Sequence, residues 1–109
     1  MNEVTPSNIR QASAPQLFTL YLDYSGTGMG VLVRVMVVRA PDSEAALEQF
    51  RQIFYPVGDW SYMRQGVEVY DGVHRPLLSR WFTEHMVEGM EKNLRHNGLI
   101  YFHWSFNAS

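Results

Sequence analysis

The sequence predicts an α+β (or α/β) domain: one four-stranded mixed sheet, element order β-β-α-β-α-β, with two helices on one face. Three observations carry this. Two runs rich in β-branched and aromatic residues, 16–24 and 31–39, precede any helical signal. From residue 41 onward the apolar residues recur at helical spacing, in two separate segments. Each of those segments is followed by another short apolar run, 66–70 and 99–106. A chain of 109 residues is the length of one domain. Residues 1–15, with Pro6, Pro15 and scattered Asn and Ser, read as an irregular N-terminal segment, and 16–109 as a single domain.

Taken in order, "QLFTLYLDY" (16–24) is a strand by its aromatic and aliphatic content, and "VLVRVMVVR" (31–39) is the densest β-branched run in the chain. Pro41-Asp42-Ser43 is a helix start, with Glu44 suited to the first turn. Ala46, Leu47, Phe50, Ile53 and Phe54 then form the apolar stripe, and Pro56 and Gly58 end the helix. "GVEVY" (66–70) is a short strand, with Asp71-Gly72 turning the chain after it. Pro76 suits the first position of a second helix, whose stripe is Leu78, Phe82, Met86, Met90 and Leu94. Asn97-Gly98 stops that helix, and "LIYFHWSF" (99–106) alternates as a final strand.

Strands that alternate with helices are normally joined by right-handed crossovers to parallel neighbours. Strand 16–24 is therefore expected antiparallel to 31–39, and the last three strands mutually parallel. A second parse makes 60–64 and 67–71 a hairpin. Residues 31–106 then read βαββαβ, a ferredoxin-like plait with an extra N-terminal strand.

With both helices on one face, strand alternation leaves the opposite face uncovered. That face carries Tyr21, Arg34, Met36, Val38, Tyr70, Tyr101 and His103. It is too apolar for a surface bathed in water, and such patches mark contact surfaces. These seven residues are the expected interface, with a second copy or another protein as partner.

Gly26, Gly28 and Gly30 stand at alternate positions in "GTGMG". A dinucleotide-binding loop needs a helix after its glycines, so that the helix N-terminus holds the pyrophosphate. Here another strand follows, and there is no Gly-Lys-Ser/Thr. The glycines are expected to turn a hairpin, where positive φ angles are required.

Composition excludes several classes. There is no cysteine, hence neither a disulfide framework nor a thiolate metal site, which suits the reducing cytoplasm. Net charge is −2 and the eight arginines and one lysine are scattered, against general nucleic-acid binding. No apolar run reaches the roughly 20 residues needed to cross a bilayer, and the first residues lack a secretory h-region. No nucleophile constellation or cofactor motif is visible, so no catalytic residue and no cofactor is assigned. His85 and Glu88 share a helix face, but no third ligand is spaced to join them, so no metal is expected.

One segment, "YDGVHRPLLSR", departs from helix-start chemistry. Helix N-termini favour carboxylates. This one has His74, Arg75 and Arg80 around it and no acid from Pro76 to Thr83. With Asp71 before it and Arg39 at the end of strand 31–39, it is the expected site for a small anion or carboxylate ligand. The sequence thus predicts a small non-catalytic binding or accessory protein, homodimeric through an aromatic-rich sheet face. The alternative is a ligand-binding protein or enzyme using the anion site.

Overall fold

The computed structural model describes residues 16–25 and 30–108. The expected irregular segment 1–15 and the hairpin role of Gly26 and Gly28 lie outside the described residues. Next to them, Gly30 has φ 82°, and Tyr24 N–H donates to the Leu32 carbonyl at 2.8 Å. The strands on either side of the glycines are thus antiparallel partners.

The sheet has the order β3-β1-β2-β4. β1 is Gln16–Asp23 and β2 is Val31–Ala40. β3 is Glu68–Asp71 and β4 is Tyr101–Ala108. Every neighbouring pair is antiparallel, so the sheet is not mixed. β3 does run parallel to β2, but β1 lies between them. One row across the sheet explains β4: Asp71 lies opposite Phe18, Phe18 opposite Val38, and Val38 opposite Tyr101. The last residue of β3 and the first of β4 stand at the same end, so β4 must run back against β3. A single uninterrupted helix would have carried the chain to the other end. Here the connection is broken into α3 (Arg75–Leu78) and α4 (Glu84–His96).

The helices cover both faces of the sheet, which corrects the expectation that they share one. Against one face lies α1 (Ser43–Phe54), with Ala46, Leu47 and Phe50 packed on Phe18, Leu20, Leu22, Met36 and Val38. Against the other lie α3 and α4, with Leu77, Leu78, Val87, Met90 and Leu94 packed on Leu17, Tyr21, Val33, Val35 and Val37. The source of the error is parity. In the antiparallel register Phe18 pairs with Val38 and Thr19 with Val37. Even-numbered residues of β1 therefore share a face with even-numbered residues of β2. Placing Tyr21 with Arg34, Met36 and Val38 exchanged the two faces of β1, since one residue of slip moves a whole strand's side chains across the sheet.

Local signals account for the helix ends. The Asp42 carboxylate accepts from Ala45 N–H at 2.8 Å and caps α1. Thr83 caps α4 through Met86 N–H. Asn97 and Gly98 end α4, Gly98 with φ 81°. Of the predicted stripe of the second helix, Leu78, Phe82, Met90 and Leu94 are buried, although the chain breaks at Ser79–Thr83. Within α4 the buried residues are Val87, Met90 and Leu94, while Met86 is 51% exposed. Residues 60–63, a strand in the hairpin parse, form a short helix α2 (Trp60–Met63), followed by a 3₁₀ turn at Arg64–Gly66. The ferredoxin-like alternative falls with that hairpin. Gly58 and Asp59, both with positive φ, turn the chain so that Trp60 lies 6.2 Å from Phe50 and 6.1 Å from Tyr55, ring to ring.

One buried polar residue fixes the exit from β3. Thr19 is fully enclosed in β1. Its hydroxyl donates to the Gly72 carbonyl at 2.7 Å and accepts from His74 N–H at 3.0 Å. Thr19→Val keeps the shape and strands both backbone groups, so a loss of about 1–3 kcal/mol is expected. Urea unfolding measures it, and an unchanged midpoint would show that water reaches the turn.

Candidate functional site

The residues of the expected anion site do not converge. His74 is the cap of α3: its Nδ1 accepts from Leu77 N–H at 3.2 Å, so the backbone donor proposed for a ligand is already used. Its ring lies 4.1 Å from that of Tyr70. Arg75 pairs with Glu91, which also holds Arg95 at 2.9 Å. The cleft beside Arg75, about 350 Å³, also has Glu84 on its wall, and the Arg75 guanidinium that would receive an anion is already paired with Glu91. Arg39 lines a different cavity with Leu17, Arg95 and His96. Asp71 and Arg80 are exposed. The long helix α4 begins with Glu84, an acid in the first turn, as helix starts usually have.

The expected interface residues do not form one surface either. Tyr21, Met36 and Val38 are buried. Tyr21 and Tyr70 belong with the α4 side, whereas Arg34, Met36, Val38, Tyr101 and His103 belong with the α1 side, as the register requires. Only His103 among the seven is exposed. Burial, and secondly the nearby Asp23 carboxylate, push the Tyr21 phenol above its ordinary pKa.

Two other features are better formed. The first is the outer edge of β4. Arg39 N–H donates to the Ile100 carbonyl at 2.8 Å. In an antiparallel ladder the bonded pairs recur every second residue. Residues 102, 104, 106 and 108 therefore face β2, and the N–H and C=O groups of Tyr101, His103, Ser105 and Asn107 point outward. β4 has no Lys, Arg, Asp, Glu or Pro, the residues that usually blunt a sheet edge. Beside it, Met86 and Leu99 line an apolar cleft with Phe102, and Ile100 and Phe106 are exposed at 46% and 43%. The opposite edge, β3, is four residues long and carries Glu68 and Asp71.

The second feature surrounds Arg34, which projects from β2 toward α1. Its guanidinium carbon lies 5.1 Å from the ring centres of both Phe54 and Tyr55. Its Nε donates to the Tyr55 hydroxyl at 2.9 Å. Phe54 is the last residue of α1 and Tyr55 its C-terminal cap, so the end of the helix delivers two consecutive aromatic rings to one cation. Arg34 lines a cleft of about 430 Å³ together with Tyr24, Leu32, Tyr55, Asp59, Tyr62, Met63 and Asn107. The Tyr24 and Tyr62 hydroxyls are 3.0 Å apart and their rings meet edge to face at 5.9 Å. That hydrogen bond pushes the Tyr24 phenol above its usual pKa. The sequence showed one part of this: an arginine alone inside a β-branched strand. Its partners, at the end of α1 and in α2, become neighbours only through the turn at Gly58-Asp59.

The described residues thus define a three-layer domain, helix–sheet–helix, with one bare sheet edge and one arginine-centred cleft. Among them no three His, Asp or Glu side chains gather to hold a metal, and no helix is long and apolar enough to cross a membrane. No family model, no curated protein and no solved structure matches the chain.

Proposed function

We propose that this chain is a non-catalytic interaction protein that pairs with a second copy of itself along the edge of β4. The outward N–H and C=O groups of Tyr101, His103, Ser105 and Asn107 carry the reading. They are a ready row of donors and acceptors for strand addition. An antiparallel strand pairs with its own copy about a two-fold axis, and two-fold dimers are the commonest closed assembly. β4 is suited to this because it carries no formal charge that would repel its own image. The exposed Met86, Leu99 and Ile100 beside it supply apolar contact next to the backbone pairing.

Ser105→Pro tests the proposal. It deletes an N–H that points away from β2, so the β2–β4 ladder keeps its bonds, and proline is tolerated on an edge strand. Sedimentation across a micromolar dilution series is expected to give a species near twice 12.6 kDa for the natural chain and a monomer for the variant. Hydrogen exchange on the natural chain is a second reading that needs no variant. The amides of His103 and Ser105 should gain protection as concentration rises. A monomer throughout the series, or concentration-independent protection of those amides, would sink the dimer.

A further inference from the structure

The Arg34 cleft supports a second role that does not depend on the β4 edge. We propose that it binds a small monoanionic aromatic carboxylate. Arg34 supplies the anchor. Its guanidinium is held in place by two rings and by the Nε–H···Oη bond to Tyr55, so its orientation is fixed before a ligand arrives. With Nε engaged, the terminal pair of N–H₂ groups is left, and no carboxylate among the described residues pairs with it. That end of a guanidinium presents two parallel donors, the geometry that takes both oxygens of a carboxylate.

The rest of the wall specifies what is attached to the carboxylate. Tyr24, Tyr55 and Tyr62 offer ring surface, and Leu32 and Met63 add apolar contact. A flat ring meets such walls edge to face or offset. The volume, about 430 Å³, lies in the range of small-molecule pockets. Asp59 also lines the cleft. Its carboxylate repels a second negative charge and accepts a hydrogen bond from a hydroxyl or amino group on the ligand. Dianions are disfavoured for that reason, and a ring with a carboxylate and a neutral donor is favoured.

The experiment is a chemical-shift titration of ¹⁵N-labelled protein with four probes: benzoate, 4-hydroxybenzoate, terephthalate and cyclohexanecarboxylate. Saturable shifts are expected around Arg34, Asp59 and Tyr62. 4-Hydroxybenzoate should bind most tightly, and terephthalate and cyclohexanecarboxylate most weakly. Arg34→Gln should weaken 4-hydroxybenzoate about ten-fold or more, the loss of a charge-assisted pair. Tyr62 is 61% exposed, so Tyr62→Ala leaves the core untouched and should weaken the same probe several-fold even where Arg34→Gln perturbs the fold. Three results would overturn the proposal: no saturable shift with any probe, shifts centred on Arg75 or Arg95 instead, or equal binding of terephthalate and 4-hydroxybenzoate.

Discussion

Phe50→Ala is expected to lower stability by roughly 3–5 kcal/mol, the range for deleting a fully buried ring. Phe50 has no solvent exposure. Its ring meets Phe54 at 4.8 Å, Trp60 at 6.2 Å and Tyr55 at 6.5 Å between centroids. Truncation opens a void between α1 and the sheet at the point where the chain folds back through Gly58 and Asp59. A domain of this size is stable by about 5–15 kcal/mol, so a third or more of the total would go. Phe54 and Tyr55 would also lose the ring they rest on, and with it the fixed position of Arg34. Urea unfolding measures the first effect, and a loss below about 1 kcal/mol would mean that α1 does not sit on this face.

Met36→Glu and Val35→Asp are each expected to prevent stable folding near neutral pH. The two residues are neighbours on β2 with side chains on opposite faces, and both are fully buried. An unpaired carboxylate there costs several kcal/mol, on whichever face it stands. A sheet with one bare face would tolerate one of the two changes. A covered sheet tolerates neither. In the Met36→Glu variant the buried carboxyl would have a folded pKa raised above its unfolded value. The folded state would then bind the proton more tightly, and acidification should recover part of the fold. Circular dichroism against pH reads both points, and a well-folded Met36→Glu protein at pH 7 would contradict the packing of α1.

What the sequence disclosed and what it hid divide along physical lines. The β1–β2 hairpin, the Asp42 cap, the α1 stripe and the Asn97-Gly98 stop were legible because each rests on residues within a few positions of one another. The face on which α4 lies was not, because it depends on register between strands far apart in the chain. The break at Ser79–Thr83 left a readable mark in Thr83-Glu84, a cap followed by an acid, but Pro76 was the stronger start signal and led to one long helix. The residues expected at the anion site were rearranged by that break: the short α3 uses the Leu77 N–H for its own His74 cap, and Arg75 turns to Glu91. Arg34 was legible as a residue of the expected interface, not as the centre of a cleft, since Tyr55 and Tyr62 line that cleft with it only after the turn at Gly58-Asp59.

The two rims of the sheet are unlike, and this sets how far an assembly can extend. Growth of a continuous sheet from molecule to molecule needs two adhesive rims on each subunit, so that every addition exposes a new one. Here β3 offers only four residues, two of them acidic, whereas β4 offers eight and no charge. In the proposed pairing a subunit therefore has a valency of one. Once β4 has met its partner, both outward rims of the pair are β3 strands, and the polymer that an unguarded strand would otherwise seed ends after the first addition.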